Sequence, residues 1–227
     1  MEHAQSLVHI IALTLGVSWA SGINLYAAML TLGLLGATGH ADLPPGLEIL
    51  THPMVISAAG LMYFVEFFAD KVPGIDTGWD VIHSFVRIPA AAILAAAASM
   101  EIGPAAQVAA ALVGGGLATG THLTKASSRV MVNTSPEPVT NSAISLTEDA
   151  AVIAGVWTAI NHPVAFLILL ALFLAACIWL VPKIWRGLRG LWRRLFFWKK
   201  RPPPPAQDPV PLPEAASKEI NSRKEEQ

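Results

Sequence analysis

LVHIIALTLGVSWASGINLYAAMLTLGLL, Leu7 to Leu35, contains no Asp, Glu, Lys or Arg, and the charge-free stretch around it extends from His3 to Ala41. A helix of about 20 predominantly apolar residues crosses a bilayer, so this stretch is more than long enough. Two further stretches share the property, Ile102 to Thr124 and Ala150 to Pro182. The whole chain agrees with them: 53% hydrophobic, 14% charged and a mean hydropathy of +0.51 are too apolar and too charge-poor for a water-soluble domain.

Breaks in the pattern divide the chain. Ser18, Ser21, Gly22 and Asn24 sit in the middle of the first apolar run, which must therefore tilt, kink or break. Ala41 to Thr51, with Pro44, Pro45 and Gly46, reads as a loop, and His52 and Pro53 start a second span that ends near Asp70. The turn KVPGIDTG, Lys71 to Gly78, leads into a third span from Trp79 to Ser99. Gly103 and Pro104 separate it from a fourth, which runs from Ala105 into His122 to Arg129. After NTSPEP come a fifth span, Val139 to Ile160, and a sixth, Val164 to Val181, parted by Asn161, His162 and Pro163. The expectation is an all-α fold, a polytopic transmembrane helical bundle of about six spans occupying residues 1–182. The N-terminus lacks the basic region and cleavage site of a secretory signal, so the first run reads as a retained span.

Lys and Arg are retained on the cytoplasmic side. The loops Gly36 to His52, Met100 to Pro104 and Asn161 to Pro163 contain neither, while Lys71, Lys125, Arg129 and the Lys183 to Arg201 cluster lie at the other side. Both termini are expected in the cytoplasm of a bacterial cell, with the chain in its inner membrane. Spans three and four are rich in Ala and Gly, and Gly116 with Gly120 forms a small-xxx-small pair of the kind that packs helices in lipid. Packing within the chain and a homo-oligomer seam both use such a pair.

Beyond the spans, KIWRGLRGLWRRLFFWKKR, Lys183 to Arg201, puts Trp185, Leu188, Trp192 and Leu195 at helical spacing and Arg186, Arg189 and Arg193 on another face. A basic aromatic helix of this kind lies at the lipid interface and attracts anionic lipids. Residues 202–227, Pro-rich and then polar, read as a disordered tail. Eight of the fifteen basic residues fall within Lys183 to Arg201, so no nucleic-acid footprint exists elsewhere. Cys177, the one cysteine, lies in an apolar run and reads as a packing residue.

The informative residues are charges inside the spans. Tyr63, Glu66 and Asp70 share a helical face; so do Asp80, His83 and Arg87; so do His122, Lys125 and Arg129; Asn141, Ser145, Glu148 and Asp149 continue the pattern on the fifth span. A lipid-facing charge at the bilayer centre costs about 2.5 to 3.5 kcal/mol, so four such stripes must face one another or water. Arg87 and Lys125 are expected to pair with acids of other spans, and a charge-removing change at Glu148 or Asp149 is expected to rescue Arg87→Ala in part. Glu66 and Asp70, one turn apart, require a cation or a proton between them. Two readings remain open: mutually satisfied ion pairs that fix the packing, or a hydrated vestibule for a polar solute.

No HExxH, CxxC, Walker A or GxSxG motif occurs, and in GGGLATGTHLTK, Gly114 to Lys125, Thr121 stands where a phosphate loop requires lysine. His83 and His122 do not form a ligand set by spacing. No metal, cofactor or catalytic residue is assigned.

The stretches ASGINLYAAMLTLGLLG (Ala20–Gly36), LPPGLEILTHP (Leu43–Pro53), VEFFADKVPGIDTGWDVIHSFVRIPAAA (Val65–Ala92), HLTKASSRVMVNTSPEP (His122–Pro138) and SLTEDAAV (Ser145–Val152) together resemble the bacterial membrane family catalogued as domain of unknown function 4126. The resemblance covers Leu7 to Arg194. It implies a multi-span membrane protein and no particular activity.

Three function classes follow. In the first, a transporter or channel handles a small polar or ionic solute, with Asn24, Glu66, Asp70, Asp80, His83, Arg87, His122, Lys125, Glu148 and Asp149 lining its path. There the acids carry cations or protons, and Arg87 with Lys125 holds an anionic group. In the second, a membrane scaffold or lipid-binding component uses the basic helix and the Pro-rich tail. The third, an intramembrane enzyme, lacks any nucleophile and base paired by motif.

Overall fold

The computed structural model describes residues 2–72, 75–133 and 138–197; the side chains of 2–4, 76–77, 130–133, 138–141, 181–182 and 184–197 are not described. The expected disordered tail, the side chains of the basic aromatic helix beyond Lys183 and that of Asn141 lie outside the described set. The chain divides into one unit through Cys177 and a second from Ile178.

Among the described residues the fold is all-α. Helix α1 is Glu2–Ala37, α2 Pro53–Ala69, α3 Ile75–Ala98, α4 Pro104–Asn133, α5 Pro138–Asn161 and α6 Pro163–Phe197. Proline stands at the first position of four of these six, where the missing N–H is lost to no helical partner and the fixed φ suits entry into the helix; α2 adds a cap, His52 Nδ1 accepting from the Met54 N–H at 3.2 Å. Between α3 and α4 the chain reverses through Gly103 at φ 120°, a left-handed conformation that a side chain disfavours.

Two departures from the sequence-based expectation have physical causes. The segment expected as a loop contains a 3₁₀ helix, Pro45–Thr51, because Leu47 and Leu50 are buried in the core and pull the backbone into a helical turn. It meets α2 at a bend of 70°. Helix α6 does not end at Pro182 but continues to Phe197, since an internal proline removes one backbone hydrogen bond without removing its neighbours. Among the described residues, Gln5–Ala37, Gly78–Ala98, Ser142–Asn161 and Pro163–Leu180 are each long and apolar enough to cross a membrane, and the bent pair, taken as one span, raises the number to five. Helix α4 is absent from that set because Gly, Thr, Gln107 and His122 dilute the apolar content of its charge-free part.

Helix α1 is central, packing against α2, α3, α4 and α5, and α3 packs along α4. Its Leu13, Val17, Ala20, Ala28 and Leu32 meet Leu94, Val152 and Val156 in the main apolar core. Near its N-terminal half, Ala12 and Trp19 meet Ala159 and Phe166, Trp19 lying edge-on to Phe166 and Phe173 at 6.2 and 6.0 Å. Close approach of α1 and α4 rests on Gly22, where a Cβ would overlap Thr121 Oγ1 and the Ala118 backbone. Gly116 and Gly120, expected to form a packing seam, have nothing within 4 Å of the place a Cβ would take. Within this chain the close crossings of α4 thus fall at Gly22 and at Gly114, where a Cβ would meet Ser18 of α1 and Ala95 of α3.

Candidate functional site

Helix α1 is broken once, at Asn24, whose φ of −147° and ψ of 101° are extended. Its Oδ1 accepts the Ala27 N–H at 2.9 Å, as an N-cap residue does for the helix that follows it. In an unbroken helix Ala27 would bond to the Ile23 carbonyl. That carbonyl is instead turned onto α4, where it accepts from Lys125 Nζ at 3.0 Å. The remaining Asn24 group, Nδ2, donates to Asp149 Oδ1 at 3.0 Å, and Tyr63 Oη donates to Asp149 Oδ2 at 3.1 Å.

Lys125 is the centre of a charge cluster. Besides Ile23, its Nζ lies 3.2 Å from Asp70 Oδ2 and 3.7 Å from Glu66 Oε1, Asp80 Oδ1 and Glu148 Oε2. Arg87 donates to Glu66 Oε1 at 2.7 Å, to Asp80 Oδ1 at 3.3 Å and to His122 Nδ1 at 3.1 Å. Arg129 donates to Glu148 Oε2 at 2.7 Å, to Asp70 Oδ2 at 3.0 Å and to the Asp70 carbonyl at 3.1 Å. Ser84 Oγ donates to the Asp80 carbonyl at 2.7 Å and lies 2.5 Å from His122 Nε2. With Arg87 donating to its Nδ1, His122 is the neutral Nε2–H tautomer and donates to Ser84. Glu66 is 0% exposed, Arg87 and Arg129 1%, so these charges have one another and not water for solvent.

Nine of the ten residues expected to line a path are joined by these contacts: Asn24, Glu66, Asp70, Asp80, Arg87, His122, Lys125, Glu148 and Asp149. The tenth, His83, stands beside them, its Nδ1 3.1 Å from the Trp79 carbonyl, stacked on Trp79 at 4.0 Å and edge-on to Tyr26 at 5.9 Å. The partners differ from expectation in one respect. Arg87 pairs with Glu66 and with Asp80 of its own helix rather than with Glu148 or Asp149, because its guanidinium reaches back two turns along α3 and across to α2. An anionic group would have to displace those carboxylates to reach Arg87 or Lys125.

Sequence reasoning missed the Ile23 carbonyl, Tyr26 and Ser84. Ser84 shares a helical face with Asp80 and Arg87, a signal that spacing alone carries; the carbonyl has no signature in side-chain pattern. Lys71, just past the end of α2, lies over the Phe67 ring and donates to the Phe67 carbonyl at 3.0 Å. Burial holds its amine below the ordinary lysine value, against Asp149 and Asp70, which favour the charge.

Three cavities, of about 300, 210 and 320 Å³, lie elsewhere. The first is lined by His9, His40, Asp42 and Asn161; the other two are apolar, against Trp19 and against Thr14, and none is lined by a member of the cluster. Among the described residues no three His, Cys, Asp or Glu side chains gather in a metal-binding arrangement. What the cluster offers chemically is charge: four carboxylates around one ammonium, held by two guanidinium groups.

No curated protein and no solved structure matches the chain. A family model described as "Domain of unknown function (DUF4126)" matches residues 11–183, a range that takes in α1 from Ile11 and every residue of the cluster. The chain therefore belongs to the family of domain of unknown function 4126.

Proposed function

We propose that this is a six-span protein of the bacterial cytoplasmic membrane, with both termini inside, that moves a small ionic solute through the region of the Lys125 cluster. The observation that carries the reading is the break in α1 at Asn24, within an apolar span, with the freed carbonyl turned onto a buried ammonium. Interrupted helices supply ion and substrate sites in membrane transporters, and ionisable residues facing one another inside spans mark ion or proton paths. Helix α4 counts as a span in this reading: it is charge-free from Pro104 to Thr124 and packs on α1 and α3. The absence of Lys and Arg from the first, third and fifth loops supports this orientation. The basic segment Lys183 to Arg201 would then meet anionic lipids of the inner leaflet.

A second reading, a non-catalytic membrane scaffold, is favoured by the pairing itself, since Arg87, Lys125 and Arg129 each face at least two carboxylates. Solute-uptake profiling of a deletion strain separates the two. Loss of one ionic uptake or export activity, restored by the wild-type gene, supports transport. Unchanged fluxes together with a defect in assembly of other membrane proteins support the scaffold.

A further inference from the structure

We infer that α1 enters and leaves the membrane on one face, as a re-entrant helical hairpin with its tip at Asn24, so that Gln5 lies on the same side as Glu48 and Glu101. At 1.5 Å per residue, a straight α1 would carry His9 about 40 Å from Ala37. Yet His9, Ile10 and Leu13 line one cavity with His40, Asp42 and Pro44, which follow the far end of the same helix. Ile10 and Ile11 line another with Ser99 and Ile102, between α3 and α4. The two ends of α1 therefore meet, and the chain reverses between them. Asn24 is the residue inside α1 with non-helical φ and ψ, so the reversal is there.

The neighbours of each leg give its direction. The first leg follows α4: Ile10 shares a cavity with Ala106, Ser18 meets the place of a Cβ on Gly114, Gly22 meets Ala118 and Thr121, and the Ile23 carbonyl meets Lys125. Both numbers rise together, so this leg is parallel to α4. The second leg runs back along α2, with Leu30 at Gly60, Gly33 at Ile56 and Gly36 at Thr51; one number rises as the other falls. Helices α2 and α4 start at the same end of the bundle, because Gly46, ahead of α2, meets Ala97, at the end of α3. The first leg leaves that end and the second returns to it.

Two physical conditions agree with the hairpin. Non-helical backbone is tolerated at membrane depth only where protein buries it, and Asn24 is buried, with its side chain and the Ile23 carbonyl hydrogen-bonded. Residues 1–41 contain no Lys or Arg, as suits a segment on the outer face. The inference rests on the orientation proposed above only for which face is outer, and it alters that reading at one point. Helix α1 no longer crosses, α2 to α6 make five crossings, and the Gln5 end moves outside; the solute path stays where it was.

The test uses the full-length protein in intact cells, carrying Gln5→Cys, Glu48→Cys or Asp76→Cys singly in a Cys177→Ala background, with a membrane-impermeant maleimide. Gln5→Cys and Glu48→Cys are expected to label and Asp76→Cys to be protected. Protection of Gln5→Cys together with Asp76→Cys, while Glu48→Cys labels, overturns the hairpin. Labelling of Asp76→Cys alone keeps the hairpin and removes the orientation drawn from Lys and Arg. A second measurement works in detergent, where a short bifunctional maleimide should join His9→Cys to His40→Cys, read as a cross-linked peptide by mass spectrometry, and should not join His9→Cys to Asp76→Cys. No cross-link in the first pair, although each cysteine reacts singly, overturns the hairpin. Neither result depends on flux, so a failed uptake assay removes the transport reading and leaves the hairpin standing.

Discussion

The ammonium of Lys125 on α4 lies 3.0 Å from the carbonyl oxygen of Ile23 on α1, a hydrogen bond that exists because α1 is broken one residue later, at Asn24. In a continuous helix that oxygen belongs to the Ala27 N–H. Asn24 takes over the N–H with its side chain, so the break leaves neither group unsatisfied. Local sequence thereby places a backbone dipole at the centre of a charge cluster built from four other helices.

Asn24→Ala should remove both the cap on Ala27 and the donor to Asp149. Losing an N-cap costs about 0.5–2 kcal/mol, and the orphaned Asp149 oxygen adds to it. A lower melting temperature in detergent is the expected outcome, with Asn24→Ser less affected because a hydroxyl still caps. An unchanged melting temperature for Asn24→Ala would show that the break does not depend on its side chain.

Arg87→Ala leaves Glu66 and Asp80 buried without their guanidinium, and removing one partner of a buried pair costs about 3–5 kcal/mol. Folded protein recovered from membranes should fall sharply. Adding Glu66→Gln should restore part of it, and adding Asp149→Asn, which Arg87 does not touch, should restore less. Equal rescue by both would contradict the pairing described above.

Gly22 and Gly120 offer a contrast within one helix crossing. A methyl group at Gly22 overlaps Thr121 Oγ1 and the Ala118 backbone, so Gly22→Ala should force α1 from α4 and lower both yield and melting temperature. At Gly120 the same change meets nothing within 4 Å and replaces a poor helix former, a gain of up to about 1 kcal/mol. If Gly120→Ala proves as damaging as Gly22→Ala, Gly120 is covered by a second copy of the chain, and the seam expected from the sequence is real.

Much of the fold is readable from residue pattern because lipid is an unforgiving solvent. Charge-free stretches have to be helices there, and Pro53, Pro104, Pro138 and Pro163 mark helix starts at the places proline favours. The stripes on α2, α3, α4 and α5 likewise announce mutual contact, since their charges have no other partner in hydrocarbon. Pattern falls short where the outcome depends on three dimensions. That Arg87 chooses Glu66 over Glu148 follows from the relative rotation of α2 and α3, and the Ile23 carbonyl enters the site through backbone geometry. Leu47 and Leu50 turn an apparent loop into a helical turn because a core is waiting for them. Ser18, Ser21, Gly22 and Asn24 signalled some irregularity in α1, but only the cap on Ala27 singles out Asn24.

Orientation can be checked with single cysteines in a Cys177→Ala background. Positions Glu48 and Glu101 should react with an impermeant reagent added outside intact cells, and Asp76 and Glu137 should react only after the membrane is opened, following the distribution of Lys and Arg. Outside labelling at Asp76 or Glu137 would remove the six-span topology.

The most direct test of the cluster as a path is the behaviour of Glu66→Gln in the deletion strain, alongside its melting temperature across pH 5 to 8. The amide keeps the shape of Glu66 and an oxygen for Arg87 but removes one of the negative charges around Lys125. The account predicts a protein that folds and fails to restore the flux lost by deletion, with Asp70→Asn and Asp149→Asn failing likewise. Full restoration by a stably folded Glu66→Gln, matched by the other two, would show that the cluster only holds helices together.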